Sequence, residues 1–228
     1  MSLREFLKKV EEEVKRRDEV RQEVQTAMRK ATRLSKQAIF LIHKERLEEA
    51  EKTLEKAENL FKTLEEASKK SPDLAYSGIV DAAFQEYSEA HILLRLVREG
   101  RFVGFDEIGV PMVSYVLGLA DVIGELRRRA LDSIRRNKIE TAESSLELME
   151  TIYSELIGMD EAFFLIHGLR KKCDIARRII EATRGDITIE ARRINLERSI
   201  RELKDAITEV GGSEGESQPG GDTETGRG

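Results

Sequence analysis

The placement of proline and glycine constrains the fold of this chain more than any other feature of its sequence. The 228 residues contain only three prolines, and seven of the sixteen glycines lie beyond residue 210. Because proline and glycine interrupt helices most strongly, the long stretches between them are free to be helical. Glu, Lys, Arg and Leu are abundant there, and no stretch alternates apolar and polar residues with the period of a strand. The sequence therefore predicts an all-α fold.

We predict a bundle of about seven helices that join at the remaining breaks. The helices cover approximately residues 3–43, 46–68, 79–98, 111–136, 142–156, 160–182 and 187–210. The expected joints are a turn at Ser71-Pro72, the loop of residues 99–111, and the segments RNKIET and TRGD. Residues 211–228 contain no large apolar side chain, which predicts a disordered tail after one helical domain of residues 1–210.

Cysteine content and hydropathy indicate the compartment. The single cysteine, Cys173, excludes an internal disulfide framework and is typical of the reducing cytoplasm. No window approaches the roughly 20 apolar residues that span a bilayer, and the N-terminus lacks a signal-peptide core. We therefore expect a soluble, cytoplasmic protein that does not associate with membranes.

Positive charge is concentrated on the first helix, although the net charge of the chain is −5. Residues 24–44 contain no acid, and their basic side chains lie mainly on one stripe, with the aromatic Phe40, opposite an apolar stripe. A second basic cluster, which includes Arg128, follows in residues 127–136. A solvated helix face and a phosphate-binding surface explain the first pattern about equally well. The candidate nucleic-acid contacts are Arg29, Arg33, Lys36, His43, Lys44 and Arg128.

Two helices each carry a pair of acids within a mostly apolar stretch. Glu86 and Glu89 are three residues apart, and Asp121 and Glu125 are four apart, so each pair shares one helix face. If the two helices are antiparallel neighbours, the four carboxylates can meet at one point. Oxygen ligands of this kind favour Mg²⁺, with Mn²⁺ as the alternative. Spacing alone favours a simpler explanation, which is ion pairing, for example of Glu125 with Arg128 or Arg129.

The histidines and the cysteine are better explained by packing than by chemistry. His43, His91 and His167 are expected to pack or to form hydrogen bonds, and Cys173 has apolar neighbours at helical spacing. No glycine-rich phosphate loop and no Ser-His-Asp arrangement is evident.

Three segments resemble the translin family. They are SKQAIFLIHK (35–44), FQEYSEA (84–90) and YVLGLADVIGELRRRALDSI (115–134), which is the most specific of the three. The similarity covers roughly residues 23–185, and it is greater to translin-associated factor X, the nuclease-type subunit, than to translin itself. The chain also resembles the prokaryotic members, although it continues past ATRG into a further charged helix.

The resemblance implies a seven-helix fold, assembly into a closed homo-octamer, and RNA handled on the inner surface. It also implies a metal-dependent endoribonuclease in which Glu86, Glu89 and Asp121 are catalytic, Glu125 is a further metal ligand, and Arg128 and Lys36 lie near the site. The expected activity is Mg²⁺-dependent cleavage of single-stranded RNA or of unpaired regions, with single-stranded DNA as another ligand. Two alternatives remain at this point: a non-catalytic single-stranded nucleic-acid binder like translin, and a helical scaffold with no nucleic-acid role.

Overall fold

The computed structural model describes residues 2–70 and 77–213, which form eight α-helices and no strand. The all-α prediction is confirmed. In chain order the helices are α1 (Leu3–His43), α2 (Leu47–Lys70), α3 (Gly78–Glu99), α4 (Phe105–Ile108), α5 (Met112–Ile134), α6 (Ile139–Ile157), α7 (Asp160–Leu165) and α8 (Leu169–Ser213).

Most predicted helix ends agree with the structure, but two predicted joints do not. The expected helix at 160–182 is interrupted, because Ile166 is extended and Gly168 has a φ of +88°, a left-handed conformation that glycine adopts without strain. The expected break at residues 183–186 is wrong, because α8 continues through it. The predicted Ser71-Pro72 turn lies outside the described residues, as does the predicted tail apart from residues 211–213, which are helical.

The core lies between α1, α2, α3, α5 and α6. Helix α1 packs on α2 and α3, α3 packs on α5, and α5 packs on α6. Each helix contributes large apolar side chains that are almost fully buried, among them Met28, Ile42, Leu54, Leu93, Ile123, Leu126, Met149 and Ile152. Burial of this apolar surface is the main force that holds the bundle together.

His91 belongs to this packed region, as the sequence predicts. Its ring meets the Tyr87 ring edge-on, with centroids 4.5 Å apart. Its Nε2 atom is buried and has no hydrogen-bond partner among the described residues. Burial lowers the pKa of His91 to about 4, so the ring is neutral at physiological pH.

Helices α3 and α5 approach each other most closely at Gly118. A Cβ atom at this position would lie 2.7 Å from the backbone oxygen of Gln85, 2.9 Å from Cβ of Ser88 and 3.0 Å from the backbone nitrogen of Glu89. Two of these three atoms belong to the α3 backbone and cannot rotate away. The absence of a side chain at Gly118 therefore sets how near the two helices lie.

Replacing Gly118 by alanine is expected to lower the free energy of unfolding by roughly 1–3 kcal/mol, because the methyl group forces the α3 and α5 backbones apart. Chemical denaturation followed by circular dichroism measures this loss. Gly124→Ala is the matched control, since Gly124 lies on the same helix and nothing lies within 4 Å of an added Cβ. The control should be neutral or stabilising, because alanine favours a helix over glycine by about 1 kcal/mol. Equal stability of the two variants would contradict the close contact.

The chain divides into two compact units, residues 1–184 and 185–228. The second unit, where described, is helical and carries Arg193 paired with Glu190 and Glu197. None of the described helices is apolar over a length that would cross a bilayer. The predicted domain boundary at residue 210 stays a prediction.

Candidate functional site

Four acids from α3 and α5 form a group that we call the carboxylate cluster: Glu86, Glu89, Asp121 and Glu125. Glu89 is the most buried of them, with 8% of the residue exposed. The other three side chains are 23–28% exposed. The two acid pairs share a region because Gly118 brings α3 against α5 beside Glu89.

Glu89 holds its proton at neutral pH. Burial, followed by repulsion from Asp121, Glu86 and Glu125, raises the pKa of Glu89 to about 9 from 4.5. No other described side chain donates a hydrogen bond to Glu89 or forms an ion pair with it.

Asp121 is held by two side chains from other helices. Lys172 of α8 places its Nζ atom 2.5 Å from one Asp121 carboxylate oxygen. Gln85 of α3 donates from Nε2 to the other oxygen at 2.6 Å. Asp121 and Lys172 also line a cavity of about 160 Å³ between α5 and the first part of α8.

Glu125 and Glu86 have basic partners as well. His43 Nε2 lies 2.6 Å from Glu125 Oε2, and this hydrogen bond is the main reason that the pKa of Glu125 is lowered. Arg128 approaches the same oxygen at 3.7 Å. Lys36 Nζ lies 3.1 Å from Glu86 Oε1. The ion-pair interpretation of these acids therefore holds for three of the four, with Glu89 as the exception.

The donor atoms of the carboxylate cluster suit a divalent cation, but the side chains as they are placed in this structure do not surround one. Four carboxyl groups offer the oxygen donors that Mg²⁺ prefers, and the proton on Glu89 marks an excess of negative charge that a cation would relieve. Within the described residues, however, no three His, Cys, Asp or Glu side chains are arranged to hold a metal ion. Lysine and histidine side chains pair with three of the carboxylates instead.

The basic stripe of α1 is exposed as predicted, except at His43. Arg29, Arg33, Lys36 and Lys44 are exposed, and Phe40 is 48% exposed with Lys44 Nζ 5.5 Å from its ring centroid. His43 is buried, with 8% exposed, so its placement on the outward stripe is wrong. Packing at the end of α1 buries His43, where its Nε2 atom contacts Glu125 of α5. Lys36 lies on the stripe and contacts Glu86, so the stripe runs directly to the cluster.

Sequence reasoning missed Lys172 and Gln85. Lys172 is 51 residues from Asp121, and nothing in its own neighbourhood marks it as a partner. Gln85 lies next to Glu86 within FQEYSEA. Its position on the same helix face as the acids is the one sequence signal by which it could have been found.

Sequence similarity to known proteins extends over most of the chain. The translin family profile matches residues 19–183. An uncharacterized protein of Methanocaldococcus jannaschii is 27% identical over 194 residues, which cover 85% of this chain and 86% of that protein.

Solved structures share the fold. AfC3PO superposes with a TM-score of 0.70 at 33% identity, covering 84% of this chain and 97% of that one. An AfC3PO complex with duplex RNA gives a TM-score of 0.72 at 31% identity over 81% and 96%. Apo-NeC3PO gives 0.73 at 28% identity, again over 81% and 96%. The family profile covers well over half of the chain, and the chain belongs to the translin family.

Proposed function

We propose that this chain binds RNA and cleaves it as a Mg²⁺-dependent endoribonuclease that acts on single-stranded RNA or unpaired regions. The observation that carries the proposal is the carboxylate cluster at the end of an exposed basic stripe, with Glu89 buried among three other acids. Membership of the translin family and the solved complex of AfC3PO with duplex RNA support RNA as the ligand.

The basic stripe supplies the binding surface. Arg29, Arg33 and Lys44 are exposed, and no described acid lies within ion-pair distance of any of them. Arginine suits phosphate because its planar fork donates two parallel hydrogen bonds. The exposed ring of Phe40 offers a surface on which a base can stack. Contacts of this kind read the backbone, so cleavage should depend little on base sequence.

The carboxylate cluster supplies the chemistry. Glu86, Glu89, Asp121 and Glu125 would hold the ion, and Glu89 must release its proton to do so. When bound, Mg²⁺ acidifies water and offsets negative charge that develops on the phosphate oxygens. Lys36 and Lys172, which pair with Glu86 and Asp121, would have to move aside for the ion, and their ammonium groups would then be available to the RNA backbone. His43 keeps Glu125 ionised and correctly oriented.

One observation favours a second function, non-catalytic binding of single-stranded RNA or DNA. Lysine, histidine and arginine side chains already neutralise three of the four acids, so the cluster needs no metal to be tolerated. In that case the basic stripe alone is functional.

We also propose that the chain assembles into a homo-oligomer, an octamer by extension from the family resemblance, and mass measurement in solution tests this.

Incubation of a labelled oligoribonucleotide with the purified protein distinguishes the two functions. Under the endonuclease proposal, products accumulate with Mg²⁺ and disappear when EDTA is added. If the oligonucleotide is bound but stays intact at saturating protein and Mg²⁺, the endonuclease proposal fails and only the binding function remains. Products that persist in EDTA would come from a contaminating nuclease and would count against the proposal.

A further inference from the structure

A small basic cavity is lined in part by His43, the residue that also contacts Glu125 of the carboxylate cluster. It has a volume of about 70 Å³, which suits an oxyanion better than a whole nucleotide, since one water occupies roughly 30 Å³ in the liquid. Three cationic side chains and two hydroxyls line it: Arg129, Arg136, Lys138, Ser133 and Thr141. We call it the Arg129 cavity.

Arg129 differs from the arginines around it. Arg127 donates to Thr183, Arg128 approaches Glu125, Arg135 pairs with Asp132, and Arg136 pairs with Glu45. Arg129 is half-buried, yet among the described residues it has neither a hydrogen-bond acceptor nor an acid within 4.0 Å. Burial, together with the neighbouring Arg136, lowers the pKa of Arg129 despite the attraction of Glu45.

A half-buried arginine without a partner is unfavourable, because the desolvated charge is not compensated. An anion in the cavity would supply the compensation that no described side chain gives Arg129. The two acids that also line the cavity, Glu45 and Asp132, are engaged by Arg136 and Arg135.

Further donors complete the cavity. Lys138 is exposed and has no ion-pair partner among the described residues. The hydroxyls of Ser133 and Thr141 form no side-chain hydrogen bond with any described residue. Two unpaired cations and two free hydroxyls thus face one small space, which is the donor set that a tetrahedral phosphate accepts.

We propose that the Arg129 cavity binds a phosphate monoester, with the terminal phosphate of an RNA strand as its ligand. The inference rests on the proposed function for the identity of the strand. A cavity of this size admits the end of a strand more readily than an internal phosphate, whose chain must enter and leave. His43 lines the cavity and bonds Glu125, so a strand anchored here has its end beside the carboxylate cluster.

Binding of three ligands in EDTA, where no cleavage occurs, tests the proposal with the full chain. The ligands are an oligoribonucleotide with a terminal phosphate, the same strand with hydroxyl ends, and inorganic phosphate. The wild type should bind the phosphorylated strand about tenfold more tightly than the hydroxyl strand. Millimolar inorganic phosphate should remove this preference and raise the melting temperature.

Arg129→Met should lose the preference and the response to inorganic phosphate, while the methionine keeps the apolar contacts of the arginine stem. It should melt no lower than the wild type without phosphate, because an uncompensated charge is gone. Arg177→Met is the control: it removes the same charge from an exposed arginine of α8 whose partner, Glu181, does not line the cavity either, and it should behave as the wild type.

The outcomes separate the sources of the anion. A melting response to inorganic phosphate that Arg129→Met abolishes, with equal affinity for both strands, supports an oxyanion site filled by free phosphate. No response to inorganic phosphate and no preference between strands would overturn the proposal, as would equal losses in Arg129→Met and Arg177→Met. Because inorganic phosphate is tested alone, failure of the endonuclease proposal does not decide the result.

Discussion

Glu86→Ala and Asp121→Asn are each expected to reduce Mg²⁺-dependent RNA cleavage at least a hundredfold while RNA binding is retained. Each substitution removes a carboxylate from the proposed ion site, and a residue that stabilises charge in the transition state typically contributes about 10²–10³ in rate. Binding persists because Arg29 and Arg33 of α1 and Lys44 at its C-cap form no ion pair with either substituted side chain. Single-turnover cleavage and fluorescence anisotropy in EDTA measure the two properties separately.

The matched control is Asp81→Asn, an exposed acid in the first turn of the helix that carries Glu86. It should cleave at the wild-type rate. Undiminished cleavage by the Glu86→Ala/Asp121→Asn double variant would end the enzyme assignment and leave the binding function.

Glu89→Gln is expected to stabilise the metal-free protein by roughly 2–4 kcal/mol at pH 7.5, because a protonated buried carboxyl is replaced by a neutral amide. Below pH 4.5 the Glu89 carboxyl is protonated in both the folded and the unfolded chain. Between pH 4.5 and about 9 the unfolded chain releases this proton and the folded chain keeps it. Stability of the wild type therefore falls as pH rises through this window, by about 1.4 kcal/mol per unit.

Urea denaturation in EDTA at pH 5 and pH 7.5 measures the effect. The advantage of Glu89→Gln should be small at pH 5 and large at pH 7.5. The groups that act on Glu89 are Asp121, Glu86 and Glu125, which raise its pKa, and Lys172, which lowers it. Asp81→Asn is the control, since Asp81 is exposed on the same helix and is not among these groups, and it should change stability by less than about 1 kcal/mol. A Glu89→Gln variant whose advantage is independent of pH would show that the carboxyl is ionised in the folded protein.

The helices were predictable where local signals were strong. Proline and glycine place both ends of α3, at Gly78 and Gly100, and the start of α5, after Pro111. The break near Gly168 was missed because apolar residues continue across it, so the pattern alone gives no reason to stop. The opposite error arose at Gly185, since a single glycine inside a long helix costs only about 1 kcal/mol relative to alanine.

The site was predictable in its acids but not in their partners. Glu86, Glu89, Asp121 and Glu125 are recognisable because charge is rare in the surrounding apolar sequence. Their partners are tertiary: His43 is 82 residues from Glu125, and Lys172 is 51 residues from Asp121. Helical spacing also placed His43 with the exposed bases, whereas packing of α1 against its neighbours buries it.

The contact at Gly118 has a consequence for redesign. Because main-chain atoms of α3 meet α5 there with no side chain between them, the spacing of the two acid pairs is a property of the scaffold. The acidic side chains can be replaced, for instance by histidines to bind a softer metal, without a change in that spacing. Room for a larger ion would instead require a greater distance between α3 and α5, because a change of rotamer at the acids does not move the two backbones apart.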